Sequence, residues 1–240
     1  MSKIHIILQG KGGVGKSLIA AVLAQYKASK GQNPLCIDTD PVNATFNGFK
    51  ALNVQRLQIM DGDEINSRKF DVLVELIAPS TDDVIIDNGA SSFVPLSHYL
   101  LSNQVPALLK DMGHELIVHT VVTGSQAMDD TINGFATIVN SFSANEIVVW
   151  LNPYWGAIEH EGKSFEQMKI YTTNKSRVSA IIKIPLWKAE TFGRDISDML
   201  QERLTFADAI ASSANTIMTR QRLTIAQKQL YEQMDIATVL

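Results

Sequence analysis

The chain has 240 residues, of which 45% are hydrophobic and 19% charged, with 21 basic side chains against 25 acidic ones and a formal net charge of −4. That balance excludes a global polycation able to hold nucleic acid or an anionic membrane by charge alone, and a single cysteine, Cys36, excludes an internal disulfide. No apolar run approaches the roughly 18 residues of a membrane span or resembles a leader segment, so the expectation is a cytoplasmic protein with one domain over residues 1–240.

The first predicted strand, Ile4–Leu8, runs directly into Gly10-Lys11-Gly12-Gly13-Val14-Gly15-Lys16-Ser17. This fits G-x-x-x-x-G-K-[ST], a loop whose backbone N–H groups wrap a polyphosphate while its last lysine reaches the β- and γ-phosphates. Ser17 offers a hydroxyl to Mg²⁺, and the helix predicted over Ser17–Lys30 points its positive end at the anion. Gly31 is placed to stop that helix, and Lys27 and Lys30 suit its negative end. The second strand, Leu35–Asp38, ends in Asp38-Thr39-Asp40-Pro41, where Asp40 can accept a hydrogen bond from an attacking water and Asp38 can support the Mg²⁺ shell or the loop lysine. An Asp pair capping a strand-to-loop turn is the structural alternative.

A helix is expected over Ser67–Ile77 and a third strand over Val84–Asp87, an apolar run that delivers a carboxylate toward a metal's water shell. Ser91 and Ser92 read as loop or capping residues. Helical pattern occupies part of Leu96–Met112, with Pro106 breaking it. Further strands are predicted over Leu116–Val122, Ile147–Asn152 and Ala180–Ile184, and further helices over Gln126–Ser141, Ser164–Asn174, Asp195–Arg203 and Thr219–Gln233. Ile/Val-rich strands with little polar alternation are buried on both faces. The fold class is therefore α/β, a doubly wound, mostly parallel sheet with helices on both faces, with ligands bound beyond the carboxyl ends of the strands.

The second lysine of the loop, Lys11, is not required by an ordinary phosphate-binding loop. The run KGGVGKS resembles the deviant Walker A motif of the ParA/MinD family of P-loop ATPases. The resemblance implies ATP and Mg²⁺ as ligands and an ATP-dependent homodimer in which Lys11 acts on the nucleotide of the other subunit. It implies catalytic roles for Lys11, Lys16 and Asp40. It also implies nucleotide contacts from Gly10, Lys11, Gly12, Gly13, Val14, Gly15, Lys16, Ser17 and Leu18, and Mg²⁺ held by Ser17, Asp38 and Asp87, partly through water. By the same resemblance Asn152 meets adenine and Ile184-Pro185 passes the base, so that Pro185 joins the site. The chain departs from the family where Asn88-Gly89-Ala90 replaces the usual Thr-Pro after the third-strand acid, and where Leu186 and Trp187 follow Pro185 in place of an acid. The segments DTDPVNA (38–44), GDEIN (62–66), DNGASSFV (87–94), NPYW (152–155) and EHEGKSFEQ (159–167) are similar to family members encoded among the transfer genes of conjugative plasmids and integrative elements. That likeness implies a protein partner in the transfer apparatus.

The remaining features carry less chemistry. His5, His98, His114, His119 and His160 lack paired metal spacing, and Ser164 stands where H-E-x-x-H would need its second histidine. Trp150, Tyr154 and Trp155 read as core packing near the base site, with a recognition surface as the alternative. Residues 159–163 read as a solvated or partner-contacting loop. Arg220, Arg222 and Lys228 on the last helix would suit nonspecific DNA, against the alternative of a packed Leu/Met stripe with solvated arginines outside. Two function classes fit: a switch ATPase that dimerises on ATP and hydrolyses it, and an ATP-binding scaffold that turns over slowly or not at all. A small-molecule kinase would need an acceptor lid that no segment supplies.

Overall fold

The computed structural model describes residues 2–240. Seven strands form one sheet: β1 (Lys3–Ile7), β2 (Leu35–Asp38), β3 (Gln55–Arg56), β4 (Val84–Asp87), β5 (Glu115–Thr123), β6 (Glu146–Asn152) and β7 (Val178–Lys183). Their spatial order is β7-β6-β5-β1-β4-β2-β3, and every neighbouring pair is parallel. The expected strands are all present within one or two residues of their predicted ends. The short edge strand β3 and two small hairpins, Met60–Asp61 with Glu64–Ile65 and Glu159–His160 with Lys163–Ser164, were not expected. Two-residue strands carry too little periodicity to be read from sequence.

Alternation along each strand divides the core between two faces. Ile4, Ile6, Val84, Ile86, Val118 and Val149 pack with helices α2 (Phe70–Ile77), α3 (Phe93–Ser102), α4 (Val105–Asp111) and α5 (Met128–Ser141). Ile7, Ile85, Ile117, Val148 and Trp150 pack on the other face. There they meet α1 (Lys16–Ser29), α7 (Arg194–Gln201), α8 (Phe206–Ala211) and α9 (Ile217–Asp235). Burial on both faces is why the strands read as continuous apolar runs. A short helix, α6 (Lys169–Asn174), packs Ile170 and Tyr171 against the first of these two cores. The predicted helix over Ser164–Asn174 begins instead as a hairpin end and a single 3₁₀ turn, fixed by a reciprocal cap between Ser164 and Gln167.

Pro106 breaks the helical segment as expected. It sits in the first turn of α4, where its missing N–H leaves no intrahelical bond unmade. Helix α1 ends at Ser29, and the chain turns at Gly31 with φ +81°. Lys27 is buried on α1 and paired with Asp83 at 2.6 Å, while Lys30 pairs with Asp235 at 2.6 Å.

On α9, Leu223, Leu230 and Met234 are buried as the stripe reading expected, but the arginines outside are not simply solvated. Arg222 is half-buried and pairs with Asp195, and Lys228 pairs with Glu232. Two of the three cations of the suggested DNA surface therefore have acidic partners.

At the sheet centre, His5 and His119 face each other at 3.0 Å, and the indole N–H of Trp150 donates to His119 Nδ1 at 2.9 Å. Because Nδ1 accepts, His119 carries its proton on Nε2 and donates it to His5 Nδ1. Burial lowers both imidazole pKa values, that of His119 to about 3. They are neutral packing groups, and no cluster of three or more metal-ligating side chains exists among the described residues.

Candidate functional site

The carboxyl ends of β1, β4 and β2 open into a cavity of about 520 Å³. It is lined by Gly12, Gly13, Gly15, Lys16, Ser17 and Leu18 on one side and by Asp40, Ala90 and Ser91 on another. The loop between β1 and α1 is shaped by its backbone: Gly15 has φ +101°, a conformation in which a side chain would be strained, and caps α1. Lys16 is 8% exposed, and its ammonium donates to the Lys11 carbonyl at 2.9 Å, so it lies folded along the loop. Burial lowers its pKa, opposed by the charges of Asp87 and Asp40.

The three acids stand in different situations. Asp38 is fully buried, and its two oxygens accept the backbone N–H groups of Asp40 and Asn47 at 2.9 and 2.8 Å. It shapes the 40–47 loop and does not line the cavity. Asp40 does line it. One of its oxygens accepts from the N–H groups of Val42 and Asn43, and its side chain presses against Gly89, where a Cβ would come within 2.7 Å of the carboxyl carbon. Asp87 is 1% exposed, and neither of its oxygens has a hydrogen-bond partner. Burial pushes its pKa up to about 7, with Ser17 and Lys16 pulling the other way. The Ser17 hydroxyl lies close enough to lower the Asp87 pKa yet makes no well-formed hydrogen bond to it, and a buried carboxylate with unfilled oxygens beside a hydroxyl and a phosphate-binding loop is a donor set suited to a divalent cation.

The loops after β2 and β4 are locked together. Thr39 donates to the carbonyl of Asp87 and to Asn88 Oδ1, which also accepts from Ser92 at 2.7 Å. Asn88 thus ties the two strand ends together, and Ser92 is a buried loop residue as expected.

Three expected contacts fall elsewhere. Asn152 does not face the cavity. It is 5% exposed, donates to the Val14 carbonyl at 2.9 Å, and accepts from the Tyr154 N–H, so it clamps the phosphate loop from behind. Pro185 follows β7 and is not among the lining residues. Lys11 is exposed and directed away from its own cavity, to Asp130 on the first turn of α5 at 2.8 Å. The aromatic reading is corrected in part. Trp150 is core, whereas Tyr154 and Trp155 are exposed, edge to face with each other, and the Trp155 indole donates to the Gly13 carbonyl at 3.2 Å.

Sequence reasoning missed the distal wall of the cavity, formed by Thr45, Phe49, Leu200 and Arg203. No local pattern marks these residues, because only the packing of the 41–49 loop against the end of α7 brings them to the site. It also missed Gln9, whose amide donates to the carbonyls of Val121 and Thr131 and anchors the start of the loop.

Comparison with known proteins agrees with this geometry. The family model for the CobQ/CobB/MinD/ParA nucleotide-binding domain matches residues 5–231, and the chain belongs to that family. Two Escherichia coli proteins, each named Protein TraL, are 73% and 71% identical to it over 241 residues, covering 100% of this chain and 100% of each relative. Among solved structures, the septum site-determining protein MinD of Pyrococcus horikoshii OT3, complexed with Mg-ADP, superposes with a TM-score of 0.53 at 17% identity, covering 98% of this chain and 96% of its own. The MinC:MinD cell division complex of Aquifex aeolicus gives 0.53 at 15% identity, covering 96% of each chain. At those identities the structural likeness speaks for the fold, a parallel sheet of P-loop type wrapped by helices.

Proposed function

We propose that this ParA/MinD-family chain is a Mg²⁺-dependent ATPase that works as a dimerising switch in conjugative DNA transfer. The observation that carries the reading is the cavity lined by Lys16 and Ser17, beside which the carboxylate of Asp87 is buried without a hydrogen-bond partner. In this reading the N–H groups of residues 12–17 and the Lys16 ammonium hold the phosphate chain of ATP. Ser17 and Asp87 hold Mg²⁺, which when bound neutralises charge on the phosphates. Asp40, on the opposite wall, orients the attacking water by accepting its proton in a hydrogen bond.

Lys11 leaves Asp130 to reach the phosphates of a second copy. Two opposed nucleotides repel unless cations lie between them, so one lysine per subunit has leverage on association. Asp38 and Asn152 act by shape, holding the 40–47 loop and the phosphate loop in place. Support for a role in conjugation comes from the full-length likeness to the two TraL proteins and from the segments that resemble family members encoded among transfer genes. The MinC:MinD complex supports a protein partner by analogy. No helix is long and apolar enough to cross a membrane among the described residues.

The test is sedimentation with ATP and Mg²⁺. Wild type should dimerise, Lys11→Ala should bind ATP yet stay monomeric, and Asp40→Ala should persist as an ATP-loaded dimer. A Lys11→Ala protein that dimerises like wild type refutes the switch. One observation favours the alternative of a slow or non-hydrolysing scaffold: Asp40 already accepts two backbone N–H groups and presses on Gly89. Phosphate release near zero in a protein that binds ATP and dimerises would select it.

A further inference from the structure

The far wall of the cavity holds an arginine that the motif logic does not use. Arg203 follows α7 and adopts φ +56°, the left-handed region that ordinarily favours glycine. An arginine there is strained, and strained residues persist where surrounding structure holds them, often at functional sites. Two features hold this one. Its Nη1 donates to the Leu200 carbonyl at 2.6 Å, closing the end of α7. Its stem lies on Gly48, where a Cβ would come within 2.9 Å of Cγ, 3.0 Å of Cδ and 3.2 Å of Nε. The 45–49 segment thus forms a bed for the side chain that any residue larger than glycine would fill.

Arg203 lines the same cavity as Lys16, Ser17 and Asp40. Among the described residues Arg203 makes no salt bridge to a carboxylate within 4.0 Å, in contrast to Arg222 and Arg194, which pair with Asp195 and Asp198. A guanidinium has five donors, of which the Leu200 carbonyl takes one. The others remain for a ligand.

We propose that Arg203 is a nucleotide-binding residue, contributing a preorganised guanidinium from the end of α7 to the phosphate chain of the nucleotide. It adds to the site a cation in cis, distinct from Lys16 of the loop and from Lys11, which turns outward. Because its stem rests on Gly48, it also joins the end of α7 to the segment that follows Asp40. The inference rests on the nucleotide reading given above.

The test compares wild type with Arg203→Gly, Arg203→Lys and Gly48→Ala in titrations with ATP and with ADP, alongside thermal melts without nucleotide. Glycine relieves the left-handed strain, so Arg203→Gly should fold and melt no lower than wild type, while its nucleotide affinity falls roughly 10- to 100-fold, the range for a lost charge-assisted hydrogen bond. Lysine keeps the charge without the planar fork and should recover part of that loss. Gly48→Ala should displace the side chain and weaken binding in the same direction. Wild-type affinity in a folded Arg203→Gly protein would overturn this assignment and leave the loop reading intact. A wild-type protein that binds neither nucleotide would overturn both.

Discussion

Replacing Asp87 by Asn should make the nucleotide-free protein more stable while removing the Mg²⁺-dependent ATPase activity proposed above. In the folded chain the carboxyl is buried with no donor, and its pKa rises from 3.8 to about 7. At about 1.4 kcal/mol per pKa unit, holding this group ionised costs the folded state on the order of 4 kcal/mol. The sign follows from the raised value. Between pH 4 and 7 the folded protein takes up a proton that the unfolded chain has released. The penalty therefore grows as pH rises through this window and is complete above pH 7.

Asparagine removes the charge but leaves an unsatisfied amide, which costs about 1–3 kcal/mol. The net gain at pH 8 is then about 1–3 kcal/mol, a rise in Tm of roughly 2–10 °C for a chain of this size. At pH 5 the penalty is smaller by nearly 3 kcal/mol, and the advantage of Asn disappears. Thermal melts of both proteins in chelator, without nucleotide, at pH 5 and pH 8, read this directly. An Asp87→Asn protein that melts lower at pH 8, or whose difference from wild type does not change with pH, refutes the argument.

Removing Asp130 with Asp130→Asn should leave stability within about 0.5 kcal/mol of wild type, because both partners of its pair with Lys11 are half exposed. It should shift the proposed ATP-dependent dimerisation to lower protein concentration in sedimentation, and an unchanged dimer constant would show that the pair does not restrain Lys11. Asn152→Ala should lower stability by about 1–3 kcal/mol by stranding the Val14 carbonyl, and should weaken ATP and GTP in parallel; a changed ATP/GTP ratio would return Asn152 to the base. His5 and His119, whose pKa values are depressed by burial, contribute stability that is present above pH 6.5 and lost as pH falls toward 3. The His119 proton alone offsets the one that Asp87 takes up and the lowered His5 adds to it, so chemical denaturation should show stability falling from pH 6 to pH 4 from these groups. A flat profile there would refute the neutral assignment of the pair.

The phosphate loop, the main strands along the chain and the Asp that ends each of β2 and β4 were legible in the chain, because each is a local matter. Glycine spacing sets what the loop backbone can do, and Ile/Val runs such as Val84–Asp87 announce strands buried on both faces. What each acid does was not legible. Asp38 and Asp87 are paired neighbours in adjacent strands, yet one is saturated by backbone N–H groups from its own loop and the other has none. That difference depends on how residues 40–47 fold back, which no periodicity records. Lys11 and Asp130 meet, and Arg203 reaches the cavity over Gly48, across separations of more than a hundred residues. The sequence by itself determined which groups the strand ends carry. Tertiary packing decided which of them face the cavity, because only the docking of α5 and α7 against the loops selects, among many polar side chains, those left without a protein partner among the described residues.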